Sequence, residues 1–231
     1  VWPAMRKVGA LDSTSVAFKV GNVIGTELKA VGINLDFAPC ADILTNPTNT
    51  AIGDRSFGSD PEVVARIASA MARGFIKADV IPCIKHFPGH GNTIVDSHFE
   101  LPIEEKSLEE LEAVELIPFR KALRTKLDFL MFAHIKYPKI DPVWPATLSP
   151  KFVEIARQNL KYRNLIITDD LDMKALSSNY DKKAIAIQAI SAGANILLYC
   201  NEPESPRLAL EGLHEAIGSG KITKQIIEQN Y

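Results

Sequence analysis

Residues 81–98 read Ile81-Pro82-Cys83-Ile84-Lys85-His86-Phe87-Pro88-Gly89-His90-Gly91-Asn92-Thr93-Ile94-Val95-Asp96-Ser97-His98. The stretch begins apolar and ends rich in ionisable groups. Residues 81–87 have the length and content of a buried strand. Lys85 and His86 fall at its end, where a charge is costly unless it meets a partner or a ligand. Pro88-Gly89 and Gly91 then break regular structure, so His90, Asp96 and His98 lie on a loop that leaves the strand. Three of the chain's five histidines sit in this stretch.

The same pattern repeats on both sides. Upstream, residues 13–30 are helix-like and stop at Gly32, and 33–38 form a strand closed by Pro39. Asp60-Pro61 opens the next helix with an N-cap and a first-turn proline. Val64, Ile67, Ala68, Met71 and Phe75 give that helix one apolar stripe. Downstream, Ser107 and Glu110 have capping-box spacing at the head of a helix over 107–126. Strands over 129–135, 165–169 and 195–200 alternate with helices over 149–160 and 181–192. Helices over 206–217 and 223–229 follow.

Strand followed by helix, with no hairpin signal, predicts parallel strands and right-handed crossovers. Neither G-x-G-x-x-G nor a P-loop occurs, which argues against a dinucleotide-binding sheet. Polar residues instead follow several strands: Asp42, then Lys85 and His86, then His134, then Asp169 and Asp170. That is how a (β/α)8 TIM-type barrel builds a site. Five strand signals are three short of eight, and the first helix has no strand before it. The reading is therefore one barrel domain over residues 1–231, lacking its N-terminal βα units.

Composition narrows the function. The 231 residues carry a net charge of 26 − 28 = −2, with 46% hydrophobic and 23% charged residues. This supports a buried core and excludes global disorder. No basic cluster points to nucleic acid, and no apolar run is long enough for membrane insertion. No secretory signal is visible, which predicts a cytoplasmic location, although a missing N-terminus leaves secretion open. Cys40, Cys83 and Cys200 lack C-x-x-C spacing, which suits a reducing compartment.

Three groups of residues carry candidate chemistry. His86, His90, Asp96 and His98 are possible metal ligands, as for a metal-dependent hydrolase. Equally, Asp96-x-His98 can place a carboxylate beside an imidazole for proton transfer. Thr168-Asp169-Asp170 ends an apolar strand, so one aspartate can face the site while its neighbour turns to the helices; a plain helix-start charge is the bland alternative. In Gly53-Asp54-Arg55-Ser56-Phe57-Gly58, Arg55 can fork onto sugar hydroxyls or form an ordinary surface salt bridge.

Taken in order, Asn34-Leu35-Asp36-Phe37-Ala38-Pro39, Ile52 to Gly58, Lys85 to Gly91 with Asp96-Ser97-His98, and Ile167-Thr168-Asp169-Asp170-Leu171-Asp172-Met173 resemble glycoside hydrolase family 3. The likeness is to its single-domain β-N-acetylglucosaminidases (β-N-acetylhexosaminidases) of peptidoglycan recycling. The resemblance implies a (β/α)8 barrel, a retaining two-step reaction, and early strands preceding Val1. It implies Asp169 as nucleophile and His98 with Asp96 as acid/base, with Arg55, Lys85 and His86 binding the sugar. It implies carbohydrate partners, namely N-acetylglucosaminides and muropeptide fragments, with no metal and no cofactor. It extends to phosphate as well as water as acceptor. A catalytically dead sugar-binding barrel is the remaining alternative.

Overall fold

The computed structural model describes residues 2–125 and 127–230. They fall into two compact units, Val1–Ile94 with Lys106–Met131, and Val95–Glu105 with Phe132–Tyr231. In the first unit α1 (Met5–Ala10) and α2 (Thr14–Ala30) lead to β1 (Leu35–Asp36), and α3 (Pro61–Lys77) leads to β2 (Ile81–Phe87). Then α4 (Leu108–Ala113) and α5 (Leu116–Ala122) lead to β3 (Phe129–Phe132), whose last residue opens the second unit. The strand order is β1-β2-β3, and β1 runs parallel to β2 with Leu35 opposite Ile81.

Local chemistry accounts for the helix starts. Ser13 caps α2 by accepting from the Val16 N–H, Asp60 caps α3 by accepting from Glu62 and Val63, and Ser107 with Glu110 forms the predicted capping box. The predicted stripe of α3 is buried from Val64 to Phe75. α2 and α3 cross backbone to backbone: a Cβ on Gly21 would lie 2.3 Å from the Met71 carbonyl oxygen, and one on Gly74 would lie 2.3 Å from that of Phe18. Any larger residue at either position would force the helices apart.

In the second unit α6 (Pro150–Glu154) runs into a π turn over Ile155–Asn159 and is followed by β4 (Leu165–Asp170). Next come α7 (Lys174–Ser177), α8 (Lys182–Ala192), β5 (Ile196–Leu198), α9 (Ser205–Gly218) and α10 (Lys224–Asn230). β4 pairs parallel with β5, Ile167 lying opposite Ile196. Leu148, Leu171, Leu176, Ile185, Ala189 and Ala194 form the core beneath them.

The described residues hold five strands, as the five signals predict. Several are shorter than their apolar runs, because apolar content reports burial and not ladder bonding. Ala133 and Ile135 are fully buried yet lie past the end of β3. The predicted helix over 107–126 breaks at Val114 and restarts as α5. Pro118, inside α5, has no N–H to donate back to the Val114 carbonyl. The predicted end at Lys126 lies outside the described residues. The short helices α1 and α7 have no counterpart among the predicted segments. Among the described residues no helix is long and apolar enough to cross a membrane.

Candidate active site

In the first unit the end of β2 is organised by one buried carboxylate. Asp42 Oδ2 lies 2.6 Å from His86 Nδ1, and Asp42 Oδ1 accepts from the His86 N–H at 3.2 Å and the His90 N–H at 2.7 Å. The Cys40 thiol donates to Asp42 Oδ2 at 3.0 Å. Burial alone would raise the Asp42 pKa, but the charge and hydrogen bond of His86, with help from His90 and Cys40, hold it well below the usual carboxylate range. Burial, and the Asp42 charge beside it, push the Cys40 thiol up, so it stays a protonated donor.

Arg55 and Lys85 line one cavity of ≈ 380 Å³ together with Asp36, Asp54, Phe37 and Trp2. Arg55 is exposed, and its guanidinium also donates to the Ala51 carbonyl. Lys85 is half-buried, and burial raises the Asp36 pKa while the Lys85 charge opposes the rise. His86 is turned into the interior against Asp42. The structure thus puts two of the three expected sugar-binding residues on a common cavity.

In the second unit the neighbours Asp169 and Asp170 are divided by strand alternation. Thr168 and Asp170 turn toward β5, where the ladder register shifts. Thr168 Oγ1 accepts from the Leu198 N–H at 3.0 Å, and Asp170 Oδ1 accepts from those of Cys200 at 3.0 Å and Asp172 at 3.1 Å. Asn201 Nδ2 donates to Asp170 Oδ2, and Asp172 accepts from Ser205 Oγ and the Glu202 N–H. Asp170 and Asp172 are therefore occupied in tying β4 to the chain after β5. Asp169 alternates to the other face, is half-buried, and accepts from the Asp170 N–H at 2.8 Å.

Asp96 and His98 are adjacent through space as well as in sequence. Asp96 Oδ1 accepts from the His98 N–H at 2.9 Å and lies 2.7 Å from His98 Nδ1. The His98 side chain is 60% exposed and that of Asp96 25%. The segment is anchored near the chain that follows β4, since the Ala175 N–H donates to the Ser97 carbonyl at 3.2 Å. The Glu104 N–H donates to the Lys136 carbonyl, beyond β3, at 2.9 Å. Both ties run to chain that leaves strands at their C-terminal ends, the end where Asp169 lies.

The remaining histidines of interest support the frame. His90 is buried, with Nδ1 2.9 Å from Thr93 Oγ1. His134 is buried, donating from Nε2 to the Asp170 carbonyl at 2.9 Å, with Nδ1 2.8 Å from Thr147 Oγ1. Among the described residues, Cys40, Asp42 and His86 form the one group of three ligand-type side chains within 4.8 Å. It shares only His86 with the metal set weighed from the sequence. Its separations of 2.6 and 3.0 Å are hydrogen-bond lengths; tetrahedral ligands on a zinc ion stand at least about 3.3 Å apart. Asp42 is the organising residue that the sequence reading left unassigned. Its signal was faint: a lone acid just past a short strand.

These features define an α/β chain of parallel strands whose polar side chains collect at C-terminal strand ends and the loops beyond them. Residues 1–231 match the Glycosyl hydrolase family 3 N terminal domain throughout, and the chain belongs to that family. It is 38% identical over 210 residues to a beta-hexosaminidase of Nitrosomonas eutropha, covering 88% of this chain and 60% of that protein. It is 41% identical over 199 residues to a beta-hexosaminidase of Neisseria gonorrhoeae, covering 86% and 55%. A solved glycoside hydrolase family 3 beta-N-acetylglucosaminidase from a Paenibacillus species superposes with a TM-score of 0.95 at 40% identity, covering 100% of this chain and 44% of that one. The chain thus spans about 60% of the length of the first of these relatives.

Proposed function

We propose that the protein is a retaining exo-β-N-acetylglucosaminidase that releases terminal β-linked N-acetylglucosamine, with peptidoglycan fragments as its source. In this reading residues 1–231 are one domain, the larger part of a (β/α)8 barrel. The observation that carries the reading is the exposed His98, with its Nδ1 2.7 Å from Asp96 in the same unit as Asp169. A carboxylate acceptor at Nδ1 keeps that nitrogen protonated and leaves Nε2 for the substrate. Asp169, turned away from the β5 network, attacks the anomeric carbon while His98 Nε2 protonates the departing oxygen. This gives a glycosyl-aspartate ester and a free alcohol. His98, now neutral, takes a proton from water, and the resulting attack on the same carbon frees the sugar and Asp169. Arg55 and Lys85, on their shared cavity, and His86 hold ring hydroxyls and fix the sugar. The names of the relatives support the sugar class.

The test is release of N-acetylglucosamine from an aryl β-N-acetylglucosaminide and from a disaccharide ending in an anhydro-muramic unit. Trapping with a 2-fluoro sugar followed by peptide mass analysis should place the label on Asp169. A label on another residue, or no release from either substrate, contradicts the proposal.

A further inference from the structure

The geometry points to Glu115 as a positioning residue that pins both ends of the segment carrying Asp96 and His98. This rests on the acid/base reading of His98. Glu115 stands at the break between α4 and α5 and is 3% exposed. Its Oε1 accepts from Lys106 Nζ at 2.5 Å, and Lys106 is where the segment rejoins the first unit. The side chain also lies against Gly89, where the segment leaves β2. A Cβ on Gly89 would meet Glu115 Cβ at 2.9 Å and Cγ at 3.0 Å, and Gly89 has φ +134. A side chain there would be strained and would collide with the carboxylate stem. One buried residue therefore touches the departure and the return of residues 89–106.

Packing alone does not explain a glutamate here. Glu115 Oε2 is buried with no hydrogen-bond partner, and an unsatisfied carboxylate oxygen in the interior costs stability that a neutral side chain would avoid. The charge holds Lys106 and with it the return of the segment, whose middle is tied at Ser97 and Glu104. That span carries Phe99 at 71% exposure and the open His98. With fixed ends the reach of His98 is restricted, and a misplacement near 1 Å is enough to cost on the order of 100-fold in rate.

Glu115→Gln keeps the shape and removes the charge. Its kcat/KM on a substrate with a sugar leaving group should fall about tenfold, and on a nitrophenyl glycoside less than about threefold, because kcat/KM reports formation of the glycosyl-aspartate and in that step only the sugar leaving group needs the His98 proton. Lys106→Arg should hold both rates near those of the parent protein. Should Glu115→Gln not fold, Lys106→Gln alters a side chain 23% exposed and carries the same expectation. Equal losses on the two substrates, no loss, or a loss with Lys106→Arg matching that of Glu115→Gln overturns the proposal. His98→Ala is measured alongside. If it shows leaving-group dependence and Glu115→Gln does not, the positioning role alone fails. If His98→Ala shows none, the acid/base reading fails and takes the positioning role with it.

Discussion

Among the described residues, the His86–Asp42 and His98–Asp96 pairs bring an imidazole and a carboxylate together with almost equal geometry in opposite surroundings. His86 and Asp42 lie 2.6 Å apart with side chains 6% and 0% exposed. His98 and Asp96 lie 2.7 Å apart with side chains 60% and 25% exposed. The contact is the same, so the contact does not assign the role. In the buried pair, Asp42 accepts from the His86 N–H, the His90 N–H and the Cys40 thiol, besides facing the His86 ring. Moving that carboxylate would break several bonds at once, which is how a frame is held. In the exposed pair, Asp96 holds the backbone and the ring of one residue on a solvent-facing segment. That ring can meet an incoming group and trade protons with it.

The comparison can be broken in order of effect. Asp169→Ala should remove turnover for every glycoside, by about 10⁴-fold or more in kcat, because neither pair can act without a nucleophile. His98→Ala should cost about 10²- to 10⁴-fold in kcat/KM on a sugar leaving group and clearly less in kcat/KM on a nitrophenyl glycoside, with the melting temperature unchanged. Asp42→Asn should do the reverse. It should lower stability by about 3 kcal/mol, since it removes the charge from a buried hydrogen-bonded pair, and leave the ratio of rates on good and poor leaving groups alone. A change in that ratio would give the buried pair a chemical role.

The buried pair also predicts a pH effect on stability. The Asp42 pKa is lowered in the folded protein, against the opposing effect of burial, by His86 and its hydrogen bonds. A depressed carboxylate pKa adds stability that is fully present above the unfolded value of about 4 and is lost as pH falls through the folded value. Urea midpoints measured from about pH 5 down to about pH 2 should therefore fall less steeply with acid in Asp42→Asn than in the parent, with the difference confined to the range below about pH 4. The smallest effect expected is none: a chelator should leave kcat unchanged, because the Cys40–Asp42–His86 contacts are hydrogen-bonded. Activity lost to a chelator and restored by zinc would contradict this.

The same contrast explains what could be read from the chain. The strand signals and the caps at Ser13, Asp60 and Ser107 were legible because they depend on neighbours a few residues away. Asp96 and His98 were legible for the same reason, being two residues apart. Alternation along one strand was enough to expect Asp169 and Asp170 to part. Asp42 was not legible as the partner of His86, since 44 residues separate them. Nor was the break at Val114, which depends on Pro118 within an otherwise helical run. Glu115 reads as one more surface acid of a helix rich in acids, until the fold places Gly89 and Lys106 against it.

The most direct test of the central claim is rescue by azide. His98→Ala and His86→Ala are each assayed on a nitrophenyl β-N-acetylglucosaminide with increasing azide. His98→Ala still forms the glycosyl-aspartate but lacks the base for water, so azide, which needs no base, should restore turnover and yield the β-glycosyl azide. His86→Ala should show no rescue, because its loss lies in sugar binding and in the frame around Asp42. Rescue of His86→Ala, or failure of azide to rescue His98→Ala, would contradict the division of labour between the two pairs.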